Sequence, residues 1–456
     1  MPSRRGRYVR RRTPSCSTSR MPPLHPATAP TPRCGVKRGR EFSIPAATTA
    51  AATGRGVRFT LPDSLARSRG QEAPMRTITL EQLGSILGGV GPNPRVMASG
   101  NFATPYTLLN TVDQVLPEYR LHMLNAHGEL PRRDGVTYET AFIGPAMRDP
   151  NTHYIPARLS LLPLLLKQHY RPDIVLIQTS TKRHDTVSLG IECNVIPAAI
   201  ESVREHGGLV IAQANPQMPY TYGDAQVYEN DIDFLIECEE DLTTIEPGPL
   251  DDTSKQIGEL IATRINDGST LQLGIGAVPD AVVQSLHDKK GFRVWTEMFS
   301  DGVLGLHKSG SLDDDIPLTA SFIFGSRELY DWLDKNKKVR IMRTEVTNNP
   351  GNIERQPQMT SVNAALQVDL FDQANASRIK GHIYTGFGGS TDFIVGALHA
   401  RGGQSFIALP SWHPKADVST IVPLIDEPIT SFQHSAVATE QGIAECFGQT
   451  QAQQAR

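Results

Sequence analysis

Short apolar runs and longer stretches of helical spacing alternate along the chain from about residue 75 onward. In the first half, apolar runs at 173–178 and 208–213 flank a segment, 197–206, with helical periodicity. The two runs are continuous instead of alternating with polar residues, which is typical of strands buried on both faces of a parallel sheet. The pattern predicts a strand, helix, strand unit here.

A second series of the same kind follows in the other half. Helical spacing at 254–265 and 279–286 alternates with apolar runs at 269–274 and 292–296. Further apolar runs bounded by turn residues predict three more strands, at 318–324, 339–343 and 405–409.

Between the two series lies segment 241–253, which is rich in Pro, Gly and consecutive acids and is typical of an interdomain linker. A chain of 456 residues also exceeds what one core usually supports. We therefore predict an α/β protein with two tandem domains of open, mainly parallel sheets, at 75–245 and 254–456. The first domain is expected to begin with a helix, because Thr79 and Gln82 have the spacing of a capping box.

Charge is distributed unevenly along the chain. Residues 1–74 hold 15 Lys/Arg against 3 Asp/Glu, a net of +12, and since the whole chain carries −3, the remainder carries −15. Residues 1–74 lack any period and are rich in Arg, Pro and Ser, so we predict a disordered basic extension. Its composition fits a transit peptide, a nucleic-acid tail or upstream sequence added by a wrong start site, and we favour the last. The acidic remainder argues against nucleic acid as a partner.

The sequence also argues against a membrane protein and against a metal-binding protein. The longest apolar stretch, at 159–166, is too short to cross a bilayer, so no membrane association is expected. The five cysteines form no cluster with metal-ligand spacing, so no metal site is expected. Reduced thiols fit a cytoplasmic protein best.

Two neighbouring features carry candidate chemistry. A predicted strand turns through Gly274 and Gly276 into a helix, and such a turn exposes amides that can hold an anion or an oxyanion. About twenty residues later, Glu297 follows an apolar strand, where burial would raise its pKa. A glycine turn is as common in an ordinary strand–helix connection, and Glu297 is equally consistent with an ion pair at a strand end.

A third feature is the glycine cluster at 386–389, followed by Asp392 and, further on, by Lys415. Three glycines in four residues indicate close approach of the backbone to another group. The cluster is also consistent with an ordinary loop, and a lysine in a loop is usually solvated.

Together these motifs resemble the acetyl-CoA hydrolase/transferase family of CoA-transferases, from about residue 93 to the C-terminus. The resemblance is carried by Thr296-Glu-Met-Phe-Ser-Asp-Gly302, by Gly274-Ile-Gly276 and by Gly386-Phe-Gly-Gly-Ser-Thr-Asp-Phe393. It implies two tandem domains of the CoA-transferase (NagB/RpiA-like) fold with the active site between them, in a homo-oligomer, expected to be a dimer.

The resemblance also implies residue roles. Glu297 is expected to be the nucleophile, and coenzyme A is expected as substrate and covalent intermediate, with no permanently bound cofactor. The expected coenzyme A contacts are Gly274, Gly276, Ala277, Val278, Gly388, Gly389, Asp392 and Lys415. At Ser390 the family often has Gln, so the resemblance implies that one hydrogen bond to the ligand differs here.

The expected reaction transfers CoA between a short-chain acyl-CoA, such as acetyl-CoA, and a small carboxylic acid such as acetate or 4-hydroxybutyrate. A hydrolase on the same site is the main alternative, because water reaching an acyl intermediate gives net thioester hydrolysis. A non-catalytic CoA-binding protein is a more distant alternative. No Gly-x-Ser-x-Gly elbow is present to support a serine thioesterase.

Overall fold

The computed structural model describes residues 75–274, 276–429 and 433–456. The predicted basic extension, residues 1–74, lies outside the described residues. Within them, no helix is both long and apolar enough to cross a lipid bilayer.

The larger sheet has eight strands, and every neighbouring pair is parallel. In spatial order its strands are Arg76–Thr77, Phe234–Glu237, Leu209–Ala214, Ile174–Thr179, Arg95–Ala98, Tyr119–His122, Val136–Thr140 and His153–Tyr154.

The direction of winding changes between two central strands of this sheet, Arg95–Ala98 and Ile174–Thr179. From the first strand the chain adds strands toward one edge, and from the second it adds them toward the other. In open parallel sheets, ligands bind outside the carboxyl ends of strands at such a reversal. Asn101 lies in the loop that leaves the first of these strands.

The second sheet has six strands, parallel except for a terminal antiparallel hairpin. In spatial order they are Arg293–Val294, Thr270–Leu273, Met359–Ala364, Gln404–Ala408, Ala436–Thr439 and Gly442–Glu445.

Helices pack around these sheets. The α-helices of the described residues are Leu80–Leu87, Tyr106–Val115, Leu162–Gln168, Ile196–His206, Asp252–Ala262, Ala277–Gln284, Asp301–Lys308, Arg327–Leu333, Thr344–Thr347, Pro350–Ile353, Ser390–His399 and Gln451–Gln454. Single 3-10 turns occupy Pro145–Met147, Leu159–Leu161 and Glu229–Asp231.

Smaller sheets join segments that are distant in the sequence. Leu318–Ala320 and Val339–Ile341 form a parallel sheet with Tyr222–Gly223 from the first half of the chain. Met298–Phe299 pairs in parallel with Phe322–Ile323. The other short strands are Thr186–Ser188, Gln226–Tyr228, Gln367–Asp369, Ala374–Asn375, Arg378–Ile379, His382–Ile383, Trp412–His413, Val418–Ser419 and Ile421–Val422.

The predicted α/β class with a large parallel sheet is confirmed, and most predicted elements lie within a few residues of the observed ones. The capping box is also confirmed: Thr79 caps the helix Leu80–Leu87 and Gln82 completes the pair. The predicted strand 318–324 is instead two short strands, because at Ser321 the chain changes its pairing partner. The Ser321 carbonyl accepts amides from Cys193 and Asn194 instead.

Candidate active site

Glu297 lies beyond the carboxyl end of the six-stranded sheet, three residues after the edge strand Arg293–Val294. Its carbonyl oxygen accepts the amide of Ser321 at 2.8 Å and that of Phe322 at 3.0 Å. The backbone is therefore held by a second chain segment, while the side chain stays partly exposed.

The carboxylate of Glu297 has a buried, oriented donor. The Asn348 side-chain nitrogen Nδ2 donates to Glu297 Oε2 at 2.6 Å. Asn348 is itself 0% exposed, and its Oδ1 accepts the hydroxyl of Thr347 at 2.8 Å. The indole of Trp295 in turn donates to the Thr347 carbonyl at 3.0 Å. Because Oδ1 is already used as an acceptor, the amide presents its nitrogen to Glu297.

Desolvation by burial raises the pKa of Glu297 to about 7. The hydrogen bond from Asn348 opposes this rise, and the negative charge of Asp392 adds to it. A carboxylate with this pKa is substantially ionised at neutral pH yet retains more nucleophilicity than an ordinary Glu.

The glycine cluster lies directly against this carboxylate. A Cβ added at Gly389 would overlap Glu297 Oε2 and Asn348 Nδ2, and would lie 3.0 Å from Glu297 Cδ. Gly389 immediately precedes the helix Ser390–His399, whose first amides have no partner within the helix. The helix therefore directs its positive end toward the region of Glu297.

The loop that carries these glycines is fixed by the first half of the chain. Gly386 forms a β-bridge with Phe142, and the Ile143 amide donates to the Thr385 carbonyl at 2.8 Å. The Leu159 amide donates to the carbonyl of Gly388 at 3.0 Å. Backbone hydrogen bonds from two separate segments of the chain thus position the loop beside Glu297.

Asp392, in the first turn of the same helix, is fully buried. Its carboxylate accepts the Ser160 hydroxyl at 2.8 Å and lies 3.5 Å from Arg158 Nε. Burial raises the pKa of Asp392 to about 6, while Ser160 and Arg158 lower it. The observed contacts of Asp392 therefore hold the helix against residues 158–160.

The turn at Gly274 and Gly276 lies at the same edge of the six-stranded sheet as Glu297, because the preceding strand pairs with Arg293–Val294. The Gly274 amide donates to the Val362 carbonyl at 2.9 Å, so it continues the sheet. Gly276 has φ +121° and ψ 177°, a conformation open essentially only to glycine.

Ala277 and Val278 begin the helix after this turn; Ala277 is exposed and Val278 is buried. Gly276 also borders a cavity of about 400 Å³ that shares a wall with Met298, the residue after Glu297. The segments 245–250 and 300–305 contribute further walls to this cavity.

Residues 325–456 match the acetyl-CoA hydrolase/transferase C-terminal domain. The 4-hydroxybutyrate coenzyme A transferase of Clostridium kluyveri is 36% identical over 335 residues, which cover 70% of this chain and 77% of that protein. The chain belongs to the acetyl-CoA hydrolase/transferase family.

Two further similarities extend over most of this family member. The succinyl-CoA:acetate/propanoyl-CoA:succinate CoA transferase of Fasciola hepatica is 32% identical, over 79% of this chain and 80% of that protein. The crystal structure of 4-hydroxybutyrate CoA-transferase from Porphyromonas gingivalis superposes with a TM-score of 0.69 at 28% identity, covering 84% of this chain and 92% of that one.

One residue expected from the family resemblance is not joined to the others. Lys415 is exposed in the turn between the strands Trp412–His413 and Val418–Ser419. Among the described residues, no hydrogen bond or ion pair links it to Glu297 or to the glycine cluster.

Sequence reasoning missed several polar residues that the fold brings to this site. Asn348 and Ser160 contact the predicted residues directly, and Glu192 and Asn101 form a hydrogen-bonded pair close by. Asn348 follows no hydrophobic period, and the only signal at its position is the turn-forming run Asn348-Asn-Pro350.

Proposed function

We propose that this family member transfers CoA between a short-chain acyl-CoA and a small carboxylate by a ping-pong route through a thioester on Glu297. The observation that carries the proposal is the Glu297 carboxylate, hydrogen-bonded by Asn348 and set against the side-chain-free Gly389. The absence of a side chain at Gly389 lets the carboxylate and the Asn348 amide lie directly against the glycine loop.

In the first half-reaction a Glu297 oxygen attacks the thioester carbonyl carbon, and the carbon–sulfur bond breaks. The products are a mixed anhydride and CoA thiolate. The thiolate then attacks the Glu297 carbonyl carbon, so that the free acid leaves as its carboxylate and a glutamyl-CoA thioester remains.

A second carboxylate reverses these steps, giving a new acyl-CoA and the regenerated Glu297 carboxylate. The cycle consumes no net proton. The thioester supplies the activation for each step.

Developing negative charge needs nearby donors at each tetrahedral stage. We propose Asn348 and the amides at the start of the helix Ser390–His399 for this role, which is typically worth about 3 kcal/mol per donor. We also propose that Val278 and Gly388 provide amides for these oxyanions. Gly274 is a weaker candidate, since its amide is engaged with Val362.

The CoA moiety is proposed to approach along the turn that contains Gly276 and Ala277, beside the cavity of about 400 Å³. We also propose that CoA is contacted directly by Gly389, Asp392 and Lys415. Because Asp392 is fully buried against Ser160, positioning of the loop is the better supported of its two roles.

At the level of the fold, we propose two tandem CoA-transferase-like (NagB/RpiA-like) domains, 75–245 and 254–456. Each range contains one of the two large sheets, which supports this division. A homodimer in the cytoplasm is the assembly and compartment that we propose.

Acetate or 4-hydroxybutyrate as acid is proposed from the names of the transferases described above, and acetyl-CoA as donor from a relative in Kluyveromyces lactis named acetyl-CoA hydrolase. Hydrolysis of the acyl-CoA is the second candidate activity. It is favoured by one observation, the partial exposure of the Glu297 side chain, which allows water to reach an intermediate.

Mass spectrometry of the protein after incubation with acetyl-CoA tests the covalent route. The wild type should gain the mass of CoA at Glu297, and Glu297→Gln should gain none. Comparing isotopically labelled acetate, butyrate, 4-hydroxybutyrate, succinate and water as acceptors then separates transferase from hydrolase. Absence of the adduct from the wild type under turnover would remove the mechanism.

A further inference from the structure

A second buried carboxyl group, Glu192, lies on the chain segment next to Glu297. Glu192 forms an antiparallel bridge with Phe322. On either side of it, the Ile323 amide donates to the Ile191 carbonyl at 2.8 Å, and the Cys193 amide donates to the Ser321 carbonyl at 3.1 Å. The Phe322 amide also donates to the Glu297 carbonyl. One strand thus joins the backbones of the two glutamates.

Glu192 is 1% exposed, and neutral amides surround its carboxyl group. Asn101 Nδ2 donates to Glu192 Oε2 at 2.5 Å, and Asn125 Nδ2 donates to Asn101 Oδ1 at 2.7 Å. Asn194, two residues further along the chain, is also buried, and among the described residues its Oδ1 atom has no hydrogen-bond partner. Two of these elements, the loops of Asn101 and Asn125, leave adjacent strands of the eight-stranded sheet near its winding reversal.

The three asparagines share an uncommon backbone conformation. Asn101, Asn125 and Asn194 have φ of 46°, 45° and 44°, in the left-handed region. Asparagine is the non-glycine residue that tolerates this region best, but each such residue is still strained. Strained residues gather where a site needs side chains in fixed positions. Here Asn101 and Asn125 form one hydrogen-bonded network with the Glu192 carboxyl group, and Asn194 lies two residues from it in the chain.

Glu192 has no cationic partner: within the described ranges, no Lys, Arg or His forms an ion pair with it. Burial raises the pKa of Glu192 to about 8, and the negative charge of Glu297 adds to the rise, while the amide side chains of Asn101 and Asn194 oppose it. The carboxyl group is therefore mainly neutral at pH 7.

Other charged groups lie near this pair. The negative charge of Asp392 adds to the rise in the pKa of Glu297. Burial raises the pKa of the Cys193 thiol, next to Glu192 in the chain; Asp224, Glu192 and Glu345 add to that rise and Arg343 opposes it.

We propose that Glu192 is a positioning residue. It stays protonated, so that the site can accept an anionic acid substrate next to Glu297. The inference rests on the proposed function, in which a carboxylate enters beside the glutamyl-CoA thioester. Ionised Glu192 would place a second negative charge in a poorly solvated site and repel the incoming acid. Formation of the CoA adduct from acetyl-CoA requires no such acid and should therefore depend much less on Glu192 ionisation.

The test compares the pH dependence of the two half-reactions in the wild type, in Glu192→Gln and in Glu205→Gln, an exposed control on the helix Ile196–His206. In the wild type and the control, the KM for isotopically labelled acetate, followed by its incorporation into acetyl-CoA, should rise about tenfold between pH 7 and pH 9, as expected for a group that titrates near pH 8. In Glu192→Gln the rise should fall below about twofold.

An unchanged alkaline rise in a folded Glu192→Gln would overturn the role of Glu192. If that variant does not fold, the same measurements on the wild type test the inference. The KM for acetate must then rise above pH 8, while the rate of adduct formation from acetyl-CoA stays nearly constant. If both deteriorate together, the inference is wrong. A wild type that forms no adduct at pH 7 would instead refute the proposed function itself.

Discussion

Adding a single methyl group at Gly389 tests whether the position of the Glu297 carboxylate controls the reaction. In Gly389→Ala the new Cβ would overlap both Glu297 Oε2 and Asn348 Nδ2, whereas ordinary van der Waals contact of a Cβ begins at 3.4 Å. The carboxylate must therefore move by about 1 Å or more, and misplacement on this scale costs about 100-fold in rate.

The same movement breaks the bond from Asn348 to a charged acceptor, which is worth about 1.5–3 kcal/mol. Both effects describe one displacement, so they should not be added. We expect CoA adduct formation from acetyl-CoA to slow by about 100-fold in total.

Rapid-quench mass spectrometry of the adduct measures this rate, and circular dichroism checks the fold. The matched control is Gly88→Ala, at the end of the helix Leu80–Leu87, where the new Cβ meets nothing nearer than 3.5 Å. If Gly389→Ala formed the adduct within about threefold of this control, the geometric reasoning would be wrong.

Two further predictions concern the charge of the same carboxylate. The folded state raises the pKa of Glu297 from 4.5 to about 7, so ionisation costs stability, by nothing below about pH 4.5 and by up to about 3 kcal/mol above pH 7. Thermal unfolding should therefore show Glu297→Gln more stable than the wild type at pH 8 and equal to it at pH 4.5; an equal gain at both pH values would contradict this. Asn348→Ala removes the bond that lowers the Glu297 pKa, so the acid limb of the adduct-formation rate should move to higher pH, with about a tenfold loss at pH 7 that is partly regained at pH 9. An unshifted limb in that variant would mean that Asn348 does not act through this bond.

The sequence predicted the parts of the fold that depend on local pattern. Continuous apolar runs indicated buried parallel strands, and the observed strands Ile174–Thr179 and Leu209–Ala214 are buried at every position. The helix Leu80–Leu87 was likewise predicted from its capping residues, three positions apart. Such signals are contained within a few residues, so they survive without knowledge of the tertiary structure.

The site depends on contacts that no local pattern contains. Ser160 and Asp392 are 232 residues apart, and Asn348 and Glu297 are 51 apart. Sequence motifs singled out Glu297 and Gly389 but gave no reason for the amide of Asn348 to face them. That amide is placed by the short helix Thr344–Thr347, which belongs to neither large sheet.

Three acids with poorly solvated carboxyl groups lie in or beside this site, and their pKa values are ordered in a way that favours the proposed chemistry. Burial raises all three pKa values, to about 6 for Asp392, about 7 for Glu297 and about 8 for Glu192. Asp392 has the lowest because Ser160 and Arg158 compensate its charge, whereas Glu192 has only neutral amides. Near pH 7 the uncompensated negative charge therefore resides at Glu297, the one acid of the three that is partly exposed and adjacent to a glycine without a side chain. Exchanging the environments of Glu297 and Glu192 would leave the charge on a carboxylate that no thioester could reach.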